Sequence, residues 1–300
     1  SEMCIRDSRE RVMKKYLIFT DASGDYDAAD ALQNDLKFVP MQYSLGEDMR
    51  VCCGLENPGI LKKFYDGQRS GDLTKTSQIT PFMYEEYFSG YMEKGYSILY
   101  LALSGGLSST YSAACVAKEA LKEKYPEVDL YPVDTKSATG GIGVLLQRVF
   151  DNQAKGMDIE ENYQDILQEI PHIRHWFMVQ DLMYLKRGGR VSATTAMVGT
   201  MLGIKPILKI NEEGKLDTIA KKRGNKSAVA YLVELFKNSF DISRGNAIYV
   251  CHADALDLAE DLKTQILKLY PQAVVKTTML SPIIGAHTGP GMAAICHFGK

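Results

Sequence analysis

The chain has 300 residues, 45% of them hydrophobic and 24% charged, with a formal net charge of -2. This composition excludes a disordered or fibrous protein, and the near-neutral balance lacks the basic footprint that nucleic acid or an anionic membrane surface requires. At about twice the usual domain length, the chain is expected to form two domains, each able to bury its own core.

Residues 1–12 are polar and charged with no apolar stretch, so they are not a signal peptide; they read as an upstream or cloning-derived extension ahead of a start at Met13. Tyr16-Leu-Ile-Phe-Thr20 is a short apolar run ending in Asp21-Ala-Ser-Gly-Asp25, the pattern of a buried strand that delivers polar groups at its carboxyl end. Ser97 to Leu103 and Leu130 to Asp134 repeat it, each followed by small or hydroxyl residues and then a helix. In the helix after Asp134, the residues Ile142, Leu145, Leu146, Val149 and Phe150 share one face. Strands alternating with helices predict a doubly wound parallel sheet over residues 13–158, with a boundary near 155–162. Beyond it the pattern predicts a helix from Tyr163 to Ile170, a strand from Trp176 to Val179 and a helix from Ala193 to Leu202. A hairpin follows through the turn Asn211-Glu-Glu-Gly214, then helices at Lys226–Phe240 and Ala255–Tyr270, and strands at Ala247–Ala253, Ala273–Leu280 and Ala293–Phe298. Residues 159–300 are therefore expected to form a mixed or antiparallel α+β domain, giving an α/β protein with two domains.

The 6 cysteines show no CxxC spacing and the 5 histidines no HExxH pattern, so no metal or cofactor is expected and the thiols read as reduced, as in a cytoplasmic protein. The longest apolar run, Thr195 to Leu208, is broken by Lys205 and Pro206, so no membrane span is expected.

Five polar clusters remain. Ser104-Gly-Gly-Leu-Ser-Ser-Thr-Tyr111, between a strand and an alanine-rich helix, offers hydroxyls and free helix amides to an anion, or is simply a capping turn. It is neither a Walker loop nor a nucleophile elbow. Lys75-Thr-Ser-Gln78 reads on its own as the N-cap of a helix from Phe82 to Glu93, and Asp134-Thr-Lys-Ser-Ala-Thr-Gly-Gly141 as another capping turn. In Tyr184-Leu-Lys-Arg-Gly-Gly-Arg-Val-Ser192, paired glycines between arginines permit close backbone approach with two guanidiniums at hand, or form a solvated basic turn. Gly285-Ala-His-Thr-Gly-Pro-Gly291 reads as a loop that carries His287 toward a ligand.

Taken in order, TDASGDY (20–26), KTSQ (75–78), SGGLSSTY (104–111), VDTKSATGGIG (133–143), YLKRGGRVS (184–192), GIKPIL (203–208) and GAHTGPG (285–291) resemble the DegV family over nearly the whole chain from Met13. The resemblance implies two α/β domains clasping one long-chain fatty acid, its tail in an apolar tunnel and its carboxylate at the domain interface. Similar proteins are FakB-type carriers: a separate ATP-dependent fatty acid kinase phosphorylates the bound acid for lipid synthesis, and the carrier has no turnover of its own. Expected partners are then the fatty acid and the kinase, with at most transient membrane contact. Carried over by position, Thr76, Ser77 and Ser104 are expected to hydrogen-bond the carboxylate, His287 and Arg190 to stand behind it, and Gly105, Ser108 and Thr288 to complete the ligand site. Neutral hydroxyls suit that task, since they leave the carboxylate available as a nucleophile. The sequence departs from the common pattern at Ala22, where a hydroxyl is more usual, and at Gly105 and Ser109, where serine and glycine are. Met197, Met201, Met279 and Met292 are candidate tunnel residues. Two rivals stand beside the carrier: a serine hydrolase built from Ser104 or Ser108, His287 and Asp21 or Asp134, and a phosphosugar or phosphotransfer module using His287.

Overall fold

A computed structural model describes residues 16–192 and 203–300. The first half runs β1 (Tyr16–Asp21), α1 (Ala28–Gln33), β2 (Lys37–Val39), β3 (Met41–Leu45), β4 (Asp48–Cys52), α2 (Pro58–Arg69), β5 (Thr74–Ser77), α3 (Pro81–Met92), β6 (Ser97–Ala102), α4 (Thr110–Lys124), β7 (Leu130–Asp134), α5 (Gly140–Ala154) and α6 (Ile159–Glu169). After a short turn at Ile170–His172 come β8 (Ile173–Met178), α7 (Met183–Arg187), β9 (Ile204–Ile210), β10 (Leu216–Arg223), α8 (Gly224–Ser239), β11 (Ala247–His252), α9 (Leu256–Leu269), β12 (Val274–Met279), α10 (Pro282–Thr288) and β13 (Ala293–Phe298).

The apolar runs read as buried strands do form a parallel sheet, of four strands in the order β2-β1-β6-β7. Every residue of β6 is buried, as a strand covered on both faces requires. The second sheet has six strands in the order β10-β9-β8-β13-β11-β12, antiparallel except for the β11–β12 pair. Its outer face packs Met178, Ile207, Val250 and Ile295 on Val229, Leu232 and Phe236 of α8 and on Leu262 and Ile266 of α9. Its inner face contributes Phe177, Leu208, Tyr249, Cys251 and Cys296 to the same core as the first sheet, so one apolar mass runs through both layers.

The joint between the layers is α5, which packs on β8, β11 and β13. Glycine lets it come close. A Cβ on Gly140 would stand 2.4 Å from the Tyr249 Cβ and 2.6 Å from the Cys251 Sγ, and one on Gly143 would meet the Tyr249 ring at 2.9 Å. On its other side α5 is tied to α6: Arg148 makes a two-point bond to Asp165 (Nε at 2.9 Å, Nη2 at 2.8 Å), and Asn152 donates to the same carboxylate at 2.6 Å. The helix α6 also lies on β6 and β7, so the chain enters the second sheet only at Ile173.

Several local readings change. The helix expected from Tyr163 begins at Ile159, because Asp158 accepts from the Glu161 amide while Glu161 accepts from the Asp158 amide, a reciprocal cap. Lys75–Ser77 is not a helix cap but part of β5, in a three-stranded antiparallel sheet β4-β3-β5; Thr80 caps α3 instead. The helix expected at Ala193–Leu202 lies outside the described residues.

Replacing Gly140 with alanine should therefore overpack the joint. We expect a loss of about 1–3 kcal/mol, read as a lower urea midpoint at unchanged slope; an unaltered midpoint would mean that the contact yields without cost.

Candidate ligand-binding site

Between the sheets lies a cavity of about 550 Å³, within the roughly 300–1,000 Å³ typical of small-molecule sites. Leu103, Leu107, Phe177, Leu185, Ile283 and Met292 give it an apolar wall, and Thr76, Ser77, Gln78, Arg190, His287 and Thr288 give it a polar part.

His287 ends a short helix rather than lying in a loop, and that helix is held from outside. Tyr65 on α2 donates to the Leu280 carbonyl (2.9 Å), Gln68 to Gly285 (3.0 Å), and Thr74 on β5 to Ala286 (3.2 Å). Gly285 has no room for a Cβ, which would stand 2.5 Å from the Tyr65 hydroxyl. Gly289, at φ +71, stops the helix. The outcome is that Thr76 and His287, 211 residues apart in sequence, meet at 2.8 Å between Oγ1 and Nε2.

The paired glycines of the basic turn act as the sequence suggested, with a difference. Gly189, at φ +74, closes α7 and turns the chain so that Arg190 points inward. Gly188 leaves space for the imidazole, since a Cβ there would stand 2.1 Å from His287 Nδ1. Only Arg190 of the two guanidiniums lines the cavity; Arg187 covers the Tyr184 ring, 4.5 Å from its centroid. Arg190 is anchored by Nε to the Leu107 carbonyl (3.0 Å) and by Nη1 to the Gly188 carbonyl.

Burial, reinforced by the Arg190 charge, pushes the His287 imidazolium down to about 4, so the ring is neutral at physiological pH. A neutral ring that donates from Nε2 to Thr76 leaves the Thr76 hydroxyl free to donate onward into the cavity.

Of the other expected site residues, Ser77, Gly105, Ser108 and Thr288 line the cavity, but Ser104 does not. Its buried hydroxyl donates to the Gly214 carbonyl (2.7 Å), pinning the β9–β10 turn to the first sheet, and Lys136 holds the same turn through the Glu212 carbonyl (2.9 Å). The hydrolase triad is not assembled. Asp21 accepts from Ser23, from the Tyr100 hydroxyl (2.9 Å) and from the Leu103 amide (2.9 Å), and Asp134 accepts from the Gly105 amide (2.9 Å) and the Lys136 amide (3.0 Å). Ser108 pairs with Thr110 at 2.7 Å, and His287 with Thr76. Among the candidate methionines, Met292 lines the cavity, Met279 packs elsewhere on the core, and Met197 and Met201 lie outside the described residues. Met41 and His175 also line it and carry no motif that would single them out. Among the described residues there is no group of three or more potential metal ligands, and no helix long and apolar enough to cross a membrane.

A profile described as "Uncharacterised protein, DegV family" matches residues 15–300. The chain belongs to the DegV family. A DegV domain-containing protein of Clostridium perfringens is 33% identical over 287 residues, covering 96% of this chain and 98% of its own. A Thermotoga maritima protein whose structure is described as revealing fatty acid binding function superposes with a TM-score of 0.81 at 27% identity, covering 96% of this chain and 100% of that one. The fatty acid kinase B3 protein of Streptococcus pneumoniae, solved loaded with linoleic acid, has the same fold at a TM-score of 0.83 and 20% identity, covering 95% and 100%. This DegV protein therefore shares its fold with a structure solved with a bound fatty acid.

Burial also pushes His175 and His297 down to about 4. All three rings are charged in the unfolded chain below roughly pH 6.5 yet stay neutral in the fold down to about 4, so in that window the unfolded state binds more protons and stability falls as pH drops. Burial lowers His252 as well, and Asp25, whose carboxyl burial holds well above the usual range, acts in the opposite sense as one group against four. The melting temperature is expected to fall by several degrees between neutral pH and about pH 5; a flat or rising profile would contradict neutral burial of these rings.

Proposed function

We propose that this protein binds one long-chain fatty acid in the interdomain cavity and presents its carboxylate to a separate ATP-dependent kinase, which forms the acyl phosphate. The observation that carries this reading is the combination of a mainly apolar wall with a neutral hydroxyl–imidazole pair, Thr76 and His287, at its polar part. Fatty acid binding by the Thermotoga maritima relative supports it, as does the kinase-system name of the Streptococcus pneumoniae protein.

In this reading the tail lies against Leu103, Phe177, Leu185 and Ile283. The carboxylate accepts from the Thr76 hydroxyl, with Ser77, Ser108, Thr288 and the Gly105 backbone around it and the Arg190 charge behind. Arg190 already donates to two backbone carbonyls, so its charge steadies the carboxylate without a two-point clamp that would quench it as a nucleophile. Nothing in this scheme requires the protein to turn over substrate: the chemical step belongs to the kinase, which also places the protein in the ATP-containing cytoplasm.

Denaturing the purified protein, extracting it with organic solvent and identifying the released molecule by mass spectrometry should yield about one equivalent of a long-chain acid. Thr76→Val should weaken binding by roughly 10- to 100-fold, the loss of one hydrogen bond to a charged group, and His287→Ala should weaken it less, because it removes only the partner that orients the Thr76 hydroxyl. If no acid is recovered and added fatty acid leaves the melting temperature unchanged, the carrier reading fails.

A further inference from the structure

A second pocket, of about 440 Å³, opens at the start of β8 and the end of β9, with Lys136, Arg174, Lys209 and Asn211 on its rim. It shares two lining residues with the interdomain cavity, His175 and Ile210. These two side chains are thus the partition between the cavity and the surface pocket. On β8, His175 and Phe177 face the same side, their rings 5.7 Å apart. His175 stands about 7 Å further than Phe177 from the end of the strand that leads to α7 and the His287 contact.

The partition is weakly held. Neither nitrogen of His175 is bonded to a protein group, although the residue is only 5% exposed, and the nearby Ser137 hydroxyl likewise has no protein partner. With no protein group to hold either nitrogen, the ring loses no protein hydrogen bond on swinging toward the second pocket, which Lys136, Arg174 and Asn211 also line. Packing alone keeps it in place, and the glycine at Gly141 leaves only ordinary contact on that side, 3.4 Å from a would-be Cβ to His175 Nδ1.

We infer that His175, with Ile210, is a displaceable plug that sets the longest acyl chain the cavity accepts, and that the pocket behind it is the overflow volume for longer acids. The inference rests on the fatty acid reading above. A chain too long for the cavity pushes the imidazole outward into the pocket, where its nitrogens find water and Asn211, so the length limit is soft. Shrinking either plug residue joins the two volumes and removes the limit.

The test uses full-length delipidated protein and two saturated acids, palmitic acid and the six-carbon-longer behenic acid, with affinities read by displacement of a fluorescent fatty acid. Expected is a rise of roughly tenfold or more in the ratio of behenic to palmitic affinity in His175→Ala and in Ile210→Ala, and no rise in His175→Phe, which keeps the plug bulky. If either small variant fails to fold, the other decides. A ratio in the folded small variants that changes by less than tenfold, or that rises equally in His175→Phe, overturns the plug. Failure of the wild-type protein to bind either acid instead overturns the carrier reading, and the plug with it.

Discussion

The close seat of α5 against the second sheet is the contact on which the rest of the molecule depends. Two glycines on that helix let the Tyr249 side chain and the Cys251 thiol approach to distances that any Cβ would forbid. The stacking of Tyr26 on Tyr249, with centroids 5.9 Å apart, carries the same joint back to the first sheet. With the layers locked there, their remaining facing surfaces diverge, and the cavity is the space the joint leaves unfilled. Its lining is consequently split: β5 and the loop after β6 contribute from one layer, β8, β9 and β10 from the other, and α10 closes between them.

Much of this was legible in the sequence, for identifiable reasons. The strands β1, β6 and β7 are short apolar runs, and α5 and α9 have clear 3.6-residue faces, so periodicity alone located them. The small sheet β4-β3-β5 was not, because β5 (Thr-Lys-Thr-Ser) contains no apolar residue and the apolar Met49 and Val51 of β4 stand exposed at the edge. Its invisibility turned Lys75–Ser77 into a supposed helix cap. His287 reads as a loop residue because the segment around it is too glycine-rich for a core element; two of those glycines serve close packing and helix termination instead.

At the site the hydroxyls were found as a group but not sorted. Ser104 and Thr76 look equivalent as hydroxyls in short polar segments. What separates them is a partner far away in sequence: a carbonyl at Gly214 occupies the first, an imidazole at His287 the second. Local pattern reports that a hydroxyl is available, and only tertiary pairing reports whether it is spent. His175 was missed for the converse reason, since its distinction is the absence of partners inside an apolar setting, a property that no neighbouring residue encodes.

The way α10 is held has a bearing on how such a protein can change over evolutionary time. This seven-residue helix has no side-chain cap of its own; two of its backbone carbonyls are gripped by Gln68 and Thr74, and Tyr65 grips the Leu280 carbonyl just before it, all from the other end of the gene. A C-terminal half recombined with a foreign N-terminal half would lose the seat that aims the imidazole. The two halves are thus constrained to change together along this seam, where a substitution on either side moves the imidazole.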